Sequence, residues 1–80
     1  MVGRDAEQLA RSIVEYLRAH RAASDTLRGI CDWWLRGLRP PPLDSDLLEA
    51  LEALARSGEV RRVDNPDGST LWSAGPRLDD

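Results

Sequence analysis

The spacing of apolar residues changes once along this 80-residue chain, at Gly58. Before Gly58, apolar residues recur every three or four positions, which is the period of an amphipathic helix. After Gly58, "EVRRVDNPDGSTLWSA" places two short β-forming runs on either side of a cluster of Pro, Asp and Gly, which predicts strand, turn and strand. We therefore expect a mainly α chain that ends in a C-terminal β-hairpin, over about residues 59–74.

Two breaks divide the helical part of the chain into three helices. "AASD" forms the first break, where Ser24 or Asp25 is a favourable N-cap for the second helix. Pro40–Pro42 forms the second break, because consecutive prolines cannot continue a helix. Gly58 suits the left-handed position that ends the third helix. The predicted helices cover about residues 5–20, 25–37 and 44–57.

The predicted hairpin turns at "NPDG", where Pro66 suits the second position of a type I turn. This turn places Val63 opposite Leu71 and Arg62 opposite Trp72, with a slip of one residue as the alternative. Arg62 then either stacks on the indole of Trp72 or contacts a phosphate or a partner. Stacking of Arg62 on Trp72 requires no ligand or partner, only the pairing of the two strands.

Length and composition describe one small domain. We expect it to occupy residues 1–76, with a flexible tail over residues 77–80. No run approaches the length of a membrane helix, and "MVGRDAEQL" lacks the apolar core of a secretory signal, so we expect a cytoplasmic chain with no membrane contact. One cysteine (Cys31) and one histidine (His20) exclude an internal disulfide and a zinc site. We expect no metal and no cofactor.

All eleven basic residues are arginine, a usage typical of a GC-rich bacterial genome, and the net charge is −3. The charge is uneven along the chain. Residues 1–39 contain seven arginines and five acidic residues, whereas residues 40–58 contain one arginine and four acidic residues. The third predicted helix is therefore acidic.

Three helices followed by a hairpin, and in particular the passage "LLEALEALARSGEVRRVDNPDGSTLW", resemble the winged helix-turn-helix superfamily. The resemblance covers nearly the whole chain and implies three helices followed by a two-stranded wing. Many members of this superfamily bind DNA through the third helix and the wing, and others bind only proteins. The fold does not decide between these functions.

The acidic third helix argues against DNA. Its exposed face is predicted to consist of Ser45, Asp46, Glu49, Glu52, Ala53 and Arg56. DNA binding depends on cationic side chains that displace counterions from the phosphates, so this face would repel DNA. If the chain nevertheless binds DNA, the residues available to do so are Arg56, Arg61 and Arg62.

The doublet Trp33–Trp34 is the second notable feature. Trp34 falls on the apolar face of the second helix, whereas Trp33 lies about 100° further round it. Gly29 and Gly37 stand four residues before and after Trp33, so neither flank of its indole carries a side chain. Either another segment of the domain closes over Trp33, or Trp33 is exposed as the anchor of a protein interface, with Arg36 and Arg28 nearby.

These observations support two main functional hypotheses. The first is a non-catalytic module that binds another protein. Its predicted contact residues are Arg28, Trp33, Arg36, Glu49 and Glu52. The second is a small DNA-binding regulator, and a homodimer is compatible with either. A third hypothesis is an acidic inhibitor that occupies the basic groove of a nucleic-acid-binding protein. No set of polar residues predicts an enzyme.

Overall fold

A computed structural model of the chain describes residues 6–79. The elements in chain order are α1 (Ala6–Ala19), β1 (Ser24–Asp25), α2 (Leu27–Gly29, continued by a π-helical segment, Ile30–Trp34), α3 (Asp44–Ser57), β2 (Val60–Asp64) and β3 (Thr70–Ala74). The strands form one antiparallel sheet with the order β1-β3-β2. Over residues 6–79 the fold is thus mixed α/β, with three helices and a three-stranded sheet.

The core lies between the helices and one face of the sheet. Its buried residues are Leu9, Ile13, Val14, Leu17, Ile30, Trp34, Leu35, Leu47, Ala50, Leu51, Leu54, Val60, Trp72 and Leu78. Neighbouring residues of a strand point to opposite faces of the sheet, so Val60 and Trp72 face the helices whereas Val63 and Leu71 face away from them. Only one face of the sheet is covered by the helices.

The third helix was predicted with the bounds that the structure has, at residues 44–57. Gly58 ends α3 in the left-handed conformation, with φ of 89°. Leu47, Ala50, Leu51 and Leu54 form the buried side of α3, whereas Leu48 is 37% exposed. The N-cap of α3 is Leu43, whose side chain cannot accept a hydrogen bond from the first turn and is 67% exposed.

Leu43→Ser is expected to stabilise the domain. A serine hydroxyl at the N-cap accepts a hydrogen bond from a free backbone N–H of the first turn, which raises the free energy of unfolding by about 1 kcal/mol. Urea unfolding followed by circular dichroism measures the change, and Leu43→Ala serves as the control because alanine caps no better than leucine. A serine variant no more stable than the alanine variant contradicts the expected cap.

The second helix differs from the prediction of residues 25–37. Ser24 and Asp25 pair with β3 as a short strand, so neither is the N-cap. The N-cap is Thr26, whose Oγ1 accepts a hydrogen bond from the Gly29 N–H at 3.2 Å. The helix then widens, and the Leu35 N–H donates to the Ile30 carbonyl five residues earlier, at 3.0 Å. The additional residue in this turn allows Ile30, Trp34 and Leu35 all to be buried.

The hairpin has the predicted register, with Val63 opposite Leu71 and Arg62 opposite Trp72. The Gly68 N–H donates to the Asn65 carbonyl at 3.0 Å, which closes the turn around Pro66. The predicted wing of two strands gains a third, because β1 pairs with β3 on the side away from β2. The sequence did not predict β1, because a strand of two residues is too short to show an alternation of apolar and polar residues.

The flexible tail predicted for residues 77–80 is wrong for the described residues 77–79, and Asp80 lies outside the described part. Leu78 is buried in the core, and its carbonyl accepts a hydrogen bond from Arg18 at 3.2 Å. Arg21 and Asp79 form a bidentate ion pair. A Cβ at Gly75 would lie 2.3 Å from the Gly58 carbonyl oxygen, so only glycine permits this close return of the chain.

Candidate functional site

Trp33 is exposed. Its side chain is 62% accessible, whereas Trp34 and Trp72 are buried. Trp34 stacks on Tyr16 of α1, with ring centroids 4.9 Å apart and planes inclined by 10°. Of the two interpretations of the tryptophan doublet, the one in which another segment of the domain closes over Trp33 is therefore wrong.

The two glycines beside Trp33 have different structural roles. At Gly29, a Cβ would overlap the carboxylate of Asp25, which receives a hydrogen bond from the Thr26 N–H at 2.8 Å. The space left by Gly29 therefore belongs to the end of β1 and not to the indole. At Gly37, no atom of a described residue other than its chain neighbours lies within 4 Å of where a Cβ would stand. The helix ends at Trp34, so Gly37 lies in the turn that follows it and not one helical turn beyond Trp33.

Two arginines follow Trp33 at intervals of three residues. The Arg36 guanidinium carbon lies 5.7 Å from the centroid of the Trp33 ring, which is a cation–π distance. The Arg39 guanidinium donates to the carbonyls of Leu38 and Arg36, at 3.4 and 3.5 Å. We call Trp33, Arg36 and Arg39 together the Trp33 surface. Arg39 was not among the predicted contact residues, and it joins this surface through its hydrogen bond to the Arg36 carbonyl.

Arg28, predicted beside Trp33, directs its guanidinium elsewhere. Its Nε lies 3.4 Å from Asp32 Oδ2, in a weak ion pair between positions four residues apart. Arg28 also lines a groove of about 430 Å³ between the start of α2, α3 and the hairpin, together with Leu48 and Trp72. The structure thus brings Arg36, but not the Arg28 guanidinium, to the indole.

The two acidic residues that the sequence predicted as partner contacts, Glu49 and Glu52, lie on α3. Glu49 is exposed, whereas Glu52 is half-buried and faces the hairpin. Glu52 Oε2 lies 3.7 Å from the Arg62 guanidinium, so one carboxylate of the acidic face is already paired within the domain. The predicted contact residues therefore divide between the Trp33 surface and α3.

Arg62 is held within the domain by three groups. Its guanidinium carbon lies 5.5 Å from the centroid of the Trp72 ring, which confirms the predicted stacking. Its Nε donates to Asp64 Oδ1 at 3.1 Å, in addition to the contact with Glu52. A phosphate at Arg62 would have to compete with two carboxylates.

The carboxyl group of Asp64 favours its charged form. The Thr70 hydroxyl and then the Arg62 guanidinium donate hydrogen bonds to it, and together they lower the pKa of Asp64 below its usual range. The unfolded chain has the higher pKa, so the stabilising contribution of Asp64 is complete above about pH 4 and is lost as the pH falls through the lowered value. The contact between Arg62 and Asp64 is therefore intact at neutral pH.

The other two arginines of the DNA hypothesis do not form one surface. Arg56 lines a shallow groove of about 290 Å³ with Arg62, Trp72 and Glu52. Arg61 precedes Arg62 on β2 and so belongs to the opposite face of the sheet, away from α3. Within residues 6–79, neither the Arg56 nor the Arg61 side chain forms an ion pair.

The remaining chemistry of the described residues is limited. No three His, Cys, Asp or Glu side chains of this part of the chain are grouped so that they could hold a metal ion. Of the helices between residues 6 and 79, none has the length and apolar content needed to cross a bilayer. Comparison of the chain with protein-family models, with curated proteins and with solved structures finds no match.

Proposed function

We propose that this chain is a non-catalytic module of winged-helix type that binds another protein through the Trp33 surface. The observation that carries the proposal is the 62% exposure of Trp33 in a domain that buries its other two tryptophans. Exposed tryptophan and arginine side chains supply a large share of the binding energy in protein interfaces. An indole that is mostly exposed to water contributes less to the stability of the domain than a buried one.

The winged-helix assignment rests on the order of the elements. Three helices precede an antiparallel hairpin, and the hairpin packs its Trp72 face against the helices. The arrangement of the cationic groups favours protein over DNA as the partner. Arg62 is paired with two carboxylates, and Arg61 belongs to the sheet face away from α3. DNA binding needs such groups free and aligned along a phosphate backbone.

Trp33→Ala is expected to abolish partner capture without unfolding the domain. The immobilised domain is exposed to a lysate of the source organism, and retained proteins are quantified for the wild type, Trp33→Ala and Val63→Ala. Val63 is the matched control because it is 40% exposed and points away from the helices. We expect at least one protein that the wild type and Val63→Ala retain equally and that Trp33→Ala loses, by about 30-fold in affinity when the pair is purified.

Two results would contradict this proposal. One is a set of retained proteins that Trp33→Ala leaves unchanged, because the Trp33 surface then takes no part in binding. The other is binding to random duplex DNA whose affinity falls steeply between about 50 and 200 mM salt, because phosphate contacts produce that dependence. The second result would favour the DNA-binding alternative built on Arg56, Arg61 and Arg62.

A further inference from the structure

The Trp33 surface presents hydrogen-bond donors and no acceptor side chain. The indole Nε1–H forms no hydrogen bond with any described residue, and a tryptophan side chain can only donate. Arg36 and Arg39 carry five N–H donors each, and neither guanidinium contacts a carboxylate within residues 6–79. A complementary partner must therefore supply acceptors.

The carboxylate nearest in sequence makes a weak ion pair with an arginine outside the Trp33 surface. Asp32 is the only acidic residue between positions 28 and 43, and it pairs with Arg28. The two other arginines of that stretch, Arg36 and Arg39, form no ion pair with a described residue, and the Arg36 guanidinium carbon lies 5.7 Å from the centroid of the exposed Trp33 ring. The Arg39 guanidinium makes long hydrogen bonds to the carbonyls of Arg36 and Leu38, which follow the end of the helix at Trp34.

From this geometry we infer that the partner of the Trp33 surface is an acidic peptide segment with an aliphatic or aromatic residue beside its carboxylates. The inference rests on the proposed function and specifies the chemistry of the partner. The apolar residue packs on the exposed part of the Trp33 indole. The carboxylates accept hydrogen bonds from Arg36, Arg39 and the indole N–H.

A single-stranded nucleic acid also combines negative charge with flat apolar groups, but it fits this surface less well. Such ligands bind along an extended basic groove that follows many phosphates. The Trp33 surface has only two unpaired guanidinium groups, and the chain as a whole carries a net charge of −3. Two guanidinium groups can pair with the few carboxylates of a short acidic peptide.

The test uses the full chain and three fluorescently labelled probes in anisotropy titrations. The first probe is a short peptide in which aspartates flank two leucines, and the second has asparagine in place of every aspartate. The third is an oligothymidylate. Asparagine has nearly the shape of aspartate without its charge, so the peptide pair isolates the electrostatic contribution.

The matched proteins are two double variants that each remove two positive charges. Arg36→Gln with Arg39→Gln alters the Trp33 surface, whereas Arg56→Gln with Arg61→Gln alters exposed arginines elsewhere. We expect the acidic peptide to bind the wild type and the second double variant equally. Binding falls about five- to tenfold in the first double variant and about 30-fold in Trp33→Ala. Raising the salt from about 50 to 200 mM should weaken wild-type binding several-fold.

Each other outcome overturns the inference. If the asparagine peptide binds as tightly as the aspartate peptide and Trp33→Ala still abolishes binding, the partner is not acidic, while the proposed function stands. If the oligothymidylate binds more tightly than the acidic peptide, the ligand is a nucleic acid. If neither peptide binds, or if both double variants lose binding equally, the Trp33 surface does not select acidic segments. If Trp33→Ala binds like the wild type, the proposed function fails as well.

Discussion

Trp72→Ala is expected to lower the free energy of unfolding by about 3–5 kcal/mol, the cost of removing a large aromatic side chain from a core. Trp72 is 2% exposed, and it lies at the centre of the sheet on the middle strand, β3. Its ring packs against the helices and carries the Arg62 guanidinium at 5.5 Å. A domain of 80 residues has a total stability of only about 4–12 kcal/mol. The variant should therefore unfold well below the melting temperature of the wild type.

Trp33→Ala is the matched control for that experiment, because it removes the same side chain from an exposed position. The loss of its cation–π contact with Arg36 is offset by the better helix propensity of alanine, so we expect a change within about 0.5 kcal/mol. For a domain of this size, that change corresponds to a shift of about 2–4 °C in melting temperature. Thermal and urea unfolding measure both variants. Equal losses in the two variants would mean that Trp33 belongs to the core.

Leu78→Ala is expected to lower the free energy of unfolding by about 2–4 kcal/mol, although Leu78 is the third residue from the end of the chain. The Leu78 side chain is 2% exposed and packs in the core, so its removal leaves a cavity. The segment is fixed on both sides of Leu78. The Arg77 N–H donates to the Gly58 carbonyl at 2.8 Å, and Asp79 pairs with Arg21.

Leu43→Ala provides the comparison for Leu78→Ala. Leu43 is 67% exposed, so the same change in side chain should alter the free energy of unfolding by less than about 0.5 kcal/mol. Urea unfolding curves for both variants give the two values, and similar slopes would show that each variant still unfolds in one step. A Leu78→Ala variant as stable as Leu43→Ala would restore the prediction of a loose tail.

The partner chemistry that we propose for the Trp33 surface depends on where the structure places the side chains of Arg28, Trp33 and Arg36. From the sequence, Trp33 had two interpretations, and both Arg36 and Arg28 were expected near it. The structure directs Arg28 toward Asp32 and leaves Arg36 against the indole. A sequence lists charges, but which charges are already paired depends on side-chain positions, and that difference determines what a partner must supply.

Local patterns were sufficient where an element follows from its own residues. The leucine spacing and Gly58 determine α3, and the turn around Pro66 determines the hairpin register and hence the contact of Arg62 with Trp72. In these cases the interactions lie within a few residues along the chain or across one tight turn. Helical period and turn geometry describe such short-range interactions directly.

Tertiary structure decided the remaining features, because each depends on residues distant in sequence. Strand β1 exists only as a partner of β3, and the π-helical turn buries Leu35 together with Trp34 against the rest of the core. The C-terminal segment looks like a tail in sequence, yet Arg18 and Arg21 of the first part of the chain hold it. The exposure of Trp33 likewise depends on parts of the chain distant in sequence. Its burial required another segment to reach it, and no segment between residues 6 and 79 covers it.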